Sequence, residues 1–232
     1  MTEGILLVDK PAGITSYDVI RKVKKALNLS KIGHAGTLDP FATGLLVVLI
    51  GRKYTRMQPR IMQGEKVYRA VIRIGVETDT GDLTGNVIRK WTQDLPDINE
   101  INRVLESFVG DIRQKPHPFS AVKYQGRPLY YYARKGIDVP IKARQVTMYE
   151  LNTGVWNPPD LDITIRVSKG FYVRSLAMDL GQKLGTGAVV TSLRRLSVGN
   201  FMVQDAVQLN MVENDDLSLH IIQMETSDVS FF

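Results

Sequence analysis

The sequence predicts an α+β fold with a mixed, largely antiparallel central sheet flanked by helices and loops. Apolar runs of strand length and apolar residues at helical spacing both occur along the chain, and they do not follow a regular β-α-β alternation. A chain of 232 residues can bury roughly 70–75% of its unfolded surface in one or two cores. We therefore expect one main domain over residues 1–205, followed by an acidic tail over residues 206–232 that is too short for its own core.

The first elements are a strand and a helix. Residues 4–10, GILLVDK, form an apolar run that Pro11 and Gly13 end, which indicates a strand and a turn. Thr15 and Asp18 have the spacing of a capping box, and the apolar residues that follow recur on one helical face. The basic residues of this helix fall mostly on the opposite face, which is either solvated or a candidate contact for phosphates.

A glycine-rich loop and two strands come next. Residues 30–44, SKIGHAGTLDPFATG, contain four turn signals and predict a loop. Residues 45–50 predict a buried strand, and residues 66–75 predict another. The segment TDTGDLTG, residues 78–85, lacks the residue pattern of an EF-hand loop and predicts a surface turn.

The remaining elements include three helices and a strand. Asp97 and Glu100 form a capping box that predicts a helix through about Val109. Residues 128–135 predict a short helix with Gly136 at its C′ position.

Strict alternation of apolar and polar residues over 161–167 predicts a half-buried strand. Apolar residues at helical spacing over 173–184 predict a helix, with Arg174 near its start and off the apolar face.

The composition excludes several classes of protein. Cysteine is absent, so there is no disulfide framework, thiolate metal site or cysteine nucleophile. The three histidines, His34, His117 and His220, are scattered, which argues against a histidine metal cage. The longest aliphatic run has six residues, against the roughly 20 that a membrane helix needs. The N-terminus does not read as a secretory signal, so we expect a cytoplasmic protein with no membrane contact.

Charge is distributed unevenly along the chain. All 30 Lys and Arg residues but only 18 of the 24 acidic residues lie in residues 1–195, which gives this part a net charge of +12. Residues 196–232 carry a net charge of −6. A basic body indicates a polyanionic partner, most often nucleic acid, although many basic proteins bind none.

Two patterns are candidates for chemistry. Asp39 is the one carboxylate in the glycine-rich loop, where it is either a turn aspartate or a nucleophile held against a flat substrate. Aromatic and basic residues interleave over 123–135 and again over 169–174, which is typical of RNA-binding surfaces but also of ordinary cores. The motifs of P-loop, zinc-hydrolase, dinucleotide-binding and α/β-hydrolase proteins are absent.

Taken together, five ordered blocks resemble the TruB family of tRNA pseudouridine synthases. The block GHAGTLDPFATGLLVV resembles the family's catalytic loop, and GILLVDKPAGITSYDVI resembles its first motif. The other three are KVYRAVIRIGVETDTGDLTG, QKPHPFSAVKYQGRPLYYYARKG and VSKGFYVRSLAMDLGQKLGTGAVVTSLRRLSVGNF. The resemblance covers roughly residues 4–205, and it implies a pseudouridine-synthase-like catalytic domain.

The resemblance also implies roles for individual residues. Asp39 would be the nucleophile, Tyr68 would stack on the target base, and Arg174 would pair with Asp39. His34 would contact the RNA where the base is flipped out, and Tyr172 and Leu193 would line the uridine pocket. Lys10 would also bind the substrate, and a structural role is its alternative. The implied activity is isomerisation of uridine 55 in the T-loop of tRNA, by a monomer that binds the T-arm. Because the isomerisation involves no redox change or group transfer, we expect no cofactor and no metal.

The chain departs from the family pattern at a few places. His117 stands where the family usually has proline, Phe119 where it has tyrosine, and Val167 and Phe171 replace Cys and Thr near the pocket. Many members carry a C-terminal RNA-binding PUA domain, whereas this chain ends in the acidic tail, either naturally or because it is truncated. Two alternatives stay open: the same chemistry on other T-loop-like hairpins, and a tRNA-binding chaperone.

Overall fold

A computed structural model shows the α+β fold that the sequence predicts, with a mixed sheet flanked by helices. The structure describes residues 3–214 and 217–224. The chain forms two compact units, which we call unit 1 (Met1–Tyr68 and Leu193–Phe232) and unit 2 (Arg69–Ser192). The predicted domain boundary at residue 205 stays a prediction, and residues 215–216 and 225–232 of the predicted tail lie outside the described residues.

The strands are β1 (Gly4–Lys10), β2 (Ile32–His34), β3 (Thr43–Ile50), β4 (Lys66–Ile74), β5 (Val76–Thr78), β6 (Val87–Lys90), β7 (Gly110–Gln114), β8 (Lys123–Tyr124), β9 (Arg127–Pro128), β10 (Arg144–Asn157), β11 (Asp160–Val167), β12 (Ala188–Val198), β13 (Phe201–Met202) and β14 (Val207–Gln208). The α-helices are α1 (Ser16–Leu27), α2 (Gly51–Arg56), α3 (Gln58–Ile61), α4 (Ile98–Glu106), α5 (Leu129–Ala133), α6 (Val173–Leu184) and α7 (Met211–Asn214). Strands β4 and β12 each begin in one unit and end in the other.

In unit 1 the strand order is β14-β1-β3-β12, with β2 added to β3 and β13 to β12. Strands β1 and β3 pair antiparallel over their whole length, whereas β14 runs parallel to β1 and β12 runs parallel to β3. Both faces of this sheet are covered. Ile5 and Leu7 belong to one buried cluster, and Leu6 and Val8 belong to another. Burial on both faces explains why these strands are continuous apolar runs rather than alternating ones.

Helix α1 begins where the sequence predicts it. The hydroxyl of Thr15 accepts a hydrogen bond from the backbone N–H of Asp18 at 3.1 Å, and the carboxylate of Asp18 accepts one from the N–H of Thr15 at 2.8 Å. This reciprocal pair is the predicted capping box. Asn28 ends the helix in the left-handed conformation.

Unit 2 has the strand order β12-β4-β11-β10-β7. Strand β10 pairs antiparallel with both β11 and β7, and its pairing with β11 contains two register shifts. The inward residues of β11, which include Ile163 and Ile165, are fully buried, as are the apolar faces of α4 and α6. Strands β5 and β6 form a separate hairpin, as do β8 and β9.

Several predicted boundaries are wrong. Residues 30–44 are not all loop, because β2 forms there and pairs with β3. The helix that Asp97 caps ends at Glu106, since Gly110 already starts β7. Helix α5 ends at Ala133 with Arg134 as its C-cap, so Gly136 lies one residue beyond the C′ position rather than at it, as predicted from the sequence.

Two features are absent from the described ranges. No helix there is long and apolar enough to cross a membrane. Nor do any three His, Asp or Glu side chains there come close enough together to hold a metal ion.

Candidate active site

The turn that carries Asp39 lies in unit 1 and is held through its backbone. The N–H of Ala42 donates to the carbonyl of Asp39 at 3.1 Å, which closes a turn around Pro40. The Pro40 carbonyl accepts two further hydrogen bonds, from the N–H of Gly13 at 2.8 Å and from Nζ of Lys10 at 3.2 Å. The turn bearing Asp39 is therefore attached directly to the end of β1 and the turn that follows it.

Lys10 is a fully buried ammonium group. Besides Pro40, its Nζ donates to the carbonyls of Pro11 at 2.8 Å and Ile14 at 2.9 Å. Burial lowers the pKa of Lys10 to about 8, while the carboxylate of Asp39 acts in the opposite direction. The ammonium thus orders three carbonyls near Asp39, and the substrate contact that the resemblance implies for Lys10 stays a prediction.

Ser16 and Arg195 hold the loop on either side of the aspartate. The buried hydroxyl of Ser16 accepts from the N–H of Leu38 at 2.9 Å and donates to the carbonyl of the same residue at 3.2 Å. The guanidinium of Arg195, 1% exposed, donates to the carbonyls of Leu45 at 2.8 Å and Gly36 at 3.0 Å. The residues that flank the aspartate are therefore fixed by side chains from α1 and β12.

Gly44 permits the close approach of β3 to β12. Its φ is +99°, and a Cβ there would lie 2.3 Å from the carbonyl oxygen of Arg195. Any other residue would have to move the strand that holds the loop.

His34 lies at the start of the same loop. Its carbonyl accepts a hydrogen bond from Nε2 of Gln58 at 2.8 Å, which anchors the end of β2. Burial lowers the pKa of the His34 ring, the charge of Arg195 lowers it further, and a hydrogen bond with the Gly36 backbone partly opposes both. The ring is therefore neutral at pH 7 and can stack or hydrogen-bond without adding charge.

The other predicted site residues of unit 1 lie on strands. Tyr68 is half-buried on β4. Leu193 is 6% exposed on β12, and its carbonyl accepts a hydrogen bond from the hydroxyl of Thr43 at 3.4 Å. Next to it, Arg194 makes a two-pronged ion pair with Asp9, at 3.0 and 2.6 Å.

In unit 2, Arg174 is buried at the second position of α6. Its Nη1 donates to the carbonyl of Thr80 at 3.0 Å, and its Nη2 donates to the carbonyl of Phe119 at 3.0 Å. Oδ2 of Asp82 lies 3.4 Å from Nη1 and supplies the buried counter-charge. The guanidinium is thus held in one orientation by loops on two sides.

Asp82 organises the turn that faces Arg174. Its Oδ1 accepts from the N–H of Thr84 at 2.9 Å, from the hydroxyl of Thr80 at 2.9 Å, and from the hydroxyl of Thr84. The predicted surface turn is therefore wrong for Asp82, which is 3% exposed, whereas Asp79 is exposed as predicted. The spacing of the turn does not show its partner, which lies 92 residues further along the chain.

His117 is buried in the same cluster. Its Nδ1 accepts from the N–H of Phe119 at 3.1 Å and lies 3.3 Å from Nη1 of Arg174. Burial, followed by the charge of Arg174, lowers the pKa of His117 to about 3. The ring is therefore neutral at pH 7.

Tyr172 precedes α6 and is fixed through its backbone. Its N–H donates to Oε1 of Gln114 at 2.8 Å, and its carbonyl accepts from Nε2 of the same residue at 3.0 Å. Gln114 is buried at the end of β7, so the residue that precedes α6 is attached to the end of this strand.

The predicted site residues thus fall into two sets, with Lys10, His34, Asp39, Tyr68 and Leu193 in unit 1 and Tyr172 and Arg174 in unit 2. The pairing of Asp39 with Arg174 concerns residues of different units, and it stays a prediction.

Comparison with known families decides the classification. The TruB family pseudouridylate synthase N-terminal domain matches residues 24–173, which is more than half of the chain. The chain belongs to the TruB family. The tRNA pseudouridylate synthase B C-terminal domain matches residues 174–225. The resemblance carried by the five sequence blocks is therefore confirmed.

Two curated relatives and one solved structure show the same similarity. The tRNA pseudouridine synthase B of Desulfotalea psychrophila is 47% identical over 92% of this chain and 89% of the relative, and that of Chlamydia pneumoniae is 42% identical over 94% and 92%. A chain from the crystal structure of a Cbf5-Nop10-Gar1 complex superposes with a TM-score of 0.70 at 30% identity, over 91% of this chain. This chain spans 54% of that solved chain.

Four residues around the two sets were not identified as functional from the sequence. Ser16, Arg195 and Asp82 are buried polar residues whose partners are remote in sequence, so local spacing gives no sign of them. The one available signal was chemical, because an arginine or aspartate inside an apolar strand or turn must find a partner when it is buried. His117 was identified as structural, and the structure adds that it contacts Arg174.

Proposed function

We propose that this TruB-family chain isomerises uridine 55 in the T-loop of tRNA to pseudouridine, with Asp39 as the nucleophile. The observation that carries the proposal is the loop itself. Hydrogen bonds from Ser16 and Lys10 hold the residues on both sides of Asp39, and they use backbone atoms rather than the carboxylate. A carboxylate on a turn fixed in this way is pre-positioned for attack on a bound substrate.

The chemistry requires a carboxylate and little else. The N1–C1′ bond of uridine breaks and a C5–C1′ bond forms, while C5 loses its hydrogen as a proton and N1 gains one. Atoms and electrons balance with no oxidant, reductant or transferred group. Asp39 would form a transient bond to the substrate, either at C6 of the base or at C1′ of the sugar.

Arg174 would keep the nucleophile charged and oriented. Its guanidinium is buried, and Oδ2 of Asp82 lies 3.4 Å from Nη1. Nη1 and Nη2 also donate to neutral acceptors, the carbonyls of Thr80 and Phe119. In the proposed mechanism this partly compensated cation pairs with Asp39 and favours its ionised form.

The other residues would receive the flipped uridine. A base must leave its stack to be modified, at a cost of a few kcal/mol, and contacts in the pocket offset that cost. Tyr68 would stack on the base, Tyr172 and Leu193 would line the pocket, and the neutral ring of His34 would contact the RNA at the position that the base has left.

The segment around α5 is a candidate contact for the rest of the RNA. The ring of Tyr131 has the guanidinium of Arg127 at 4.5 Å and Nζ of Lys135 at 4.6 Å from its centre. Arg134 lies 5.5 Å from the centre of the Tyr130 ring. Tyr130 is exposed and Tyr131 is half-buried. Aromatic rings combined with cations suit bases and phosphates of RNA, which supports tRNA as the substrate.

The test is tritium release from a T-arm stem-loop labelled at C5 of uridine. We expect release by the wild type and loss of at least about 10⁴-fold in Asp39→Asn, since a nucleophile acts in every turnover. Asp79→Asn is the matched control, because Asp79 is an exposed turn aspartate that hydrogen-bonds Asn86, and it should keep wild-type release. Full activity of folded Asp39→Asn would overturn the role of Asp39.

A panel of RNAs tests the substrate. Hairpins with cytidine at position 55 should release nothing, and other T-loop-like hairpins should react more slowly than the tRNA arm. Equal rates on unrelated hairpins would favour a broader substrate range. Tight binding without release, by a folded wild type and also with full-length tRNA, would favour a tRNA-binding chaperone.

A further inference from the structure

His117 is a buried polar side chain that the proposed mechanism leaves without a role. Its ring is 1% exposed, and both contacts of its Nδ1 are to hydrogen-bond donors, the N–H of Phe119 and Nη1 of Arg174. Neither a backbone N–H nor a guanidinium can accept a hydrogen bond. Nδ1 must therefore be the unprotonated nitrogen, with the ring proton on Nε2.

The same nitrogen also shapes the loop. Because Nδ1 of His117 accepts from the N–H two residues further on, the chain is drawn into a tight turn. The carbonyl of Phe119, at this turn, accepts from Nη2 of Arg174 at 3.0 Å. His117 thus holds the guanidinium at Nη1 directly and at Nη2 through the turn.

A neutral acceptor has a specific advantage here. Asp82 already supplies one negative charge beside Arg174. A second carboxylate at position 117 would outweigh the single positive charge of the guanidinium and weaken its attraction for another anion. An imidazole fixes the plane of the guanidinium without adding charge, so the cation keeps its electrostatic effect on a nearby carboxylate.

We propose that His117 is a positioning residue for pseudouridine formation, because it fixes the orientation of the Arg174 guanidinium. This inference rests on the proposed function, in which Arg174 pairs with Asp39. It predicts an effect on the chemical step rather than on RNA affinity, because His117 itself is buried.

Two substitutions at this position separate hydrogen bonding from packing. Asn places an amide oxygen close to the position of Nδ1, whereas Leu fills similar volume with no acceptor. The control is His220→Leu, since His220 is exposed and distant in sequence. The measurements are the single-turnover rate of pseudouridine formation and the Kd for a T-arm stem-loop.

We expect His117→Leu to slow the single-turnover step by about 10- to 100-fold, the range for loss of a hydrogen bond to a charged group, with Kd unchanged. His117→Asn should stay within about threefold of the wild type, and His220→Leu should match it. A wild-type rate in His117→Leu, a loss confined to Kd, or equal loss in the Asn and Leu variants would overturn the proposal.

A second measurement is independent of activity. ¹⁵N NMR of the wild type should show His117 with a protonated Nε2 and an unprotonated Nδ1, and slowly exchanging Arg174 guanidinium signals that average in His117→Leu. A protonated Nδ1 would overturn the positioning role. If the wild type forms no pseudouridine, the proposed function fails, and the NMR result still decides whether His117 orients Arg174.

Discussion

The two units each contain an aspartate in a glycine- and threonine-rich turn, and different groups hold the two turns. In unit 1, hydrogen bonds to the backbone hold the Asp39 turn, and they come from Lys10 and Ser16. In unit 2, the carboxylate of Asp82 holds its own turn, because it accepts three hydrogen bonds from residues of that turn. The same carboxylate also faces Arg174.

The difference lies in how each turn is fastened. The carboxylate of Asp82 closes its own turn, so that turn depends on it. The Asp39 turn is held at Leu38 and Pro40 through backbone atoms, so these hydrogen bonds do not depend on the carboxylate of Asp39. The hydrogen bonds that hold a turn therefore say more about the function of the turn than its amino-acid composition does.

The largest expected effect is the loss of stability when the aspartate of the unit 2 turn is removed. Asp82→Ala would leave the buried guanidinium of Arg174 without its close counter-charge, and removing one partner of a buried pair costs about 3–5 kcal/mol. Urea unfolding should show this loss. Asp79→Ala, in the same turn but exposed, should cost less than about 1 kcal/mol. Equal losses in both variants would mean that Asp82 does not anchor the turn.

A smaller effect is expected from loosening the unit 1 turn. Ser16→Ala removes both hydrogen bonds to Leu38, which should lower the free energy of unfolding by about 1–3 kcal/mol because buried backbone groups lose their partner. The single-turnover rate should fall by about tenfold or more, since the Asp39 turn loses its fixed position. Ser30→Ala, at an exposed serine, should change neither quantity. An unchanged rate in a destabilised Ser16→Ala variant would mean that the hydrogen bonds between Ser16 and Leu38 are not needed for catalysis.

The last expected effect concerns pH. The pKa of His117 is about 3 in the folded protein, against about 6.5 in the unfolded chain. The unfolded state therefore binds one more proton between these values, and stability falls as pH decreases through this window, by up to about 1.4 kcal/mol per pH unit. His117→Asn should have a shallower loss, measured as unfolding free energy from pH 7 to 4. Parallel curves would contradict a buried neutral ring.

Much of the fold was predictable because local patterns determine it. The Thr15 cap, the apolar run of β1, the alternation in β11 and the apolar face of α6 all lie where the sequence indicates. Strand β12 was not predicted. The buried Arg195 interrupts its apolar pattern, and the carbonyl of Leu45 that compensates the guanidinium lies 150 residues away in sequence.

The candidate site also contains residues that the sequence identifies and residues that it does not. Asp39 and Arg174 were found through the family resemblance, since an aspartate in a turn and an arginine near a helix start are ordinary features. The residues that hold them, Ser16 and Asp82, act through contacts between segments that are remote in sequence, and such contacts depend on the completed fold. Periodicity and spacing carry no information about them.

Because Lys10 is enclosed, chemical labelling of its amine would report local opening of the structure around it. An amine-directed acylating reagent needs an unprotonated, accessible amine, and the carbonyls of Pro11, Ile14 and Pro40 surround this one. Acylation of Lys10 should therefore proceed only as fast as the Asp39 turn detaches from the end of β1. Mass spectrometry of the labelled chain would then time that detachment against the surface lysines of the same molecule.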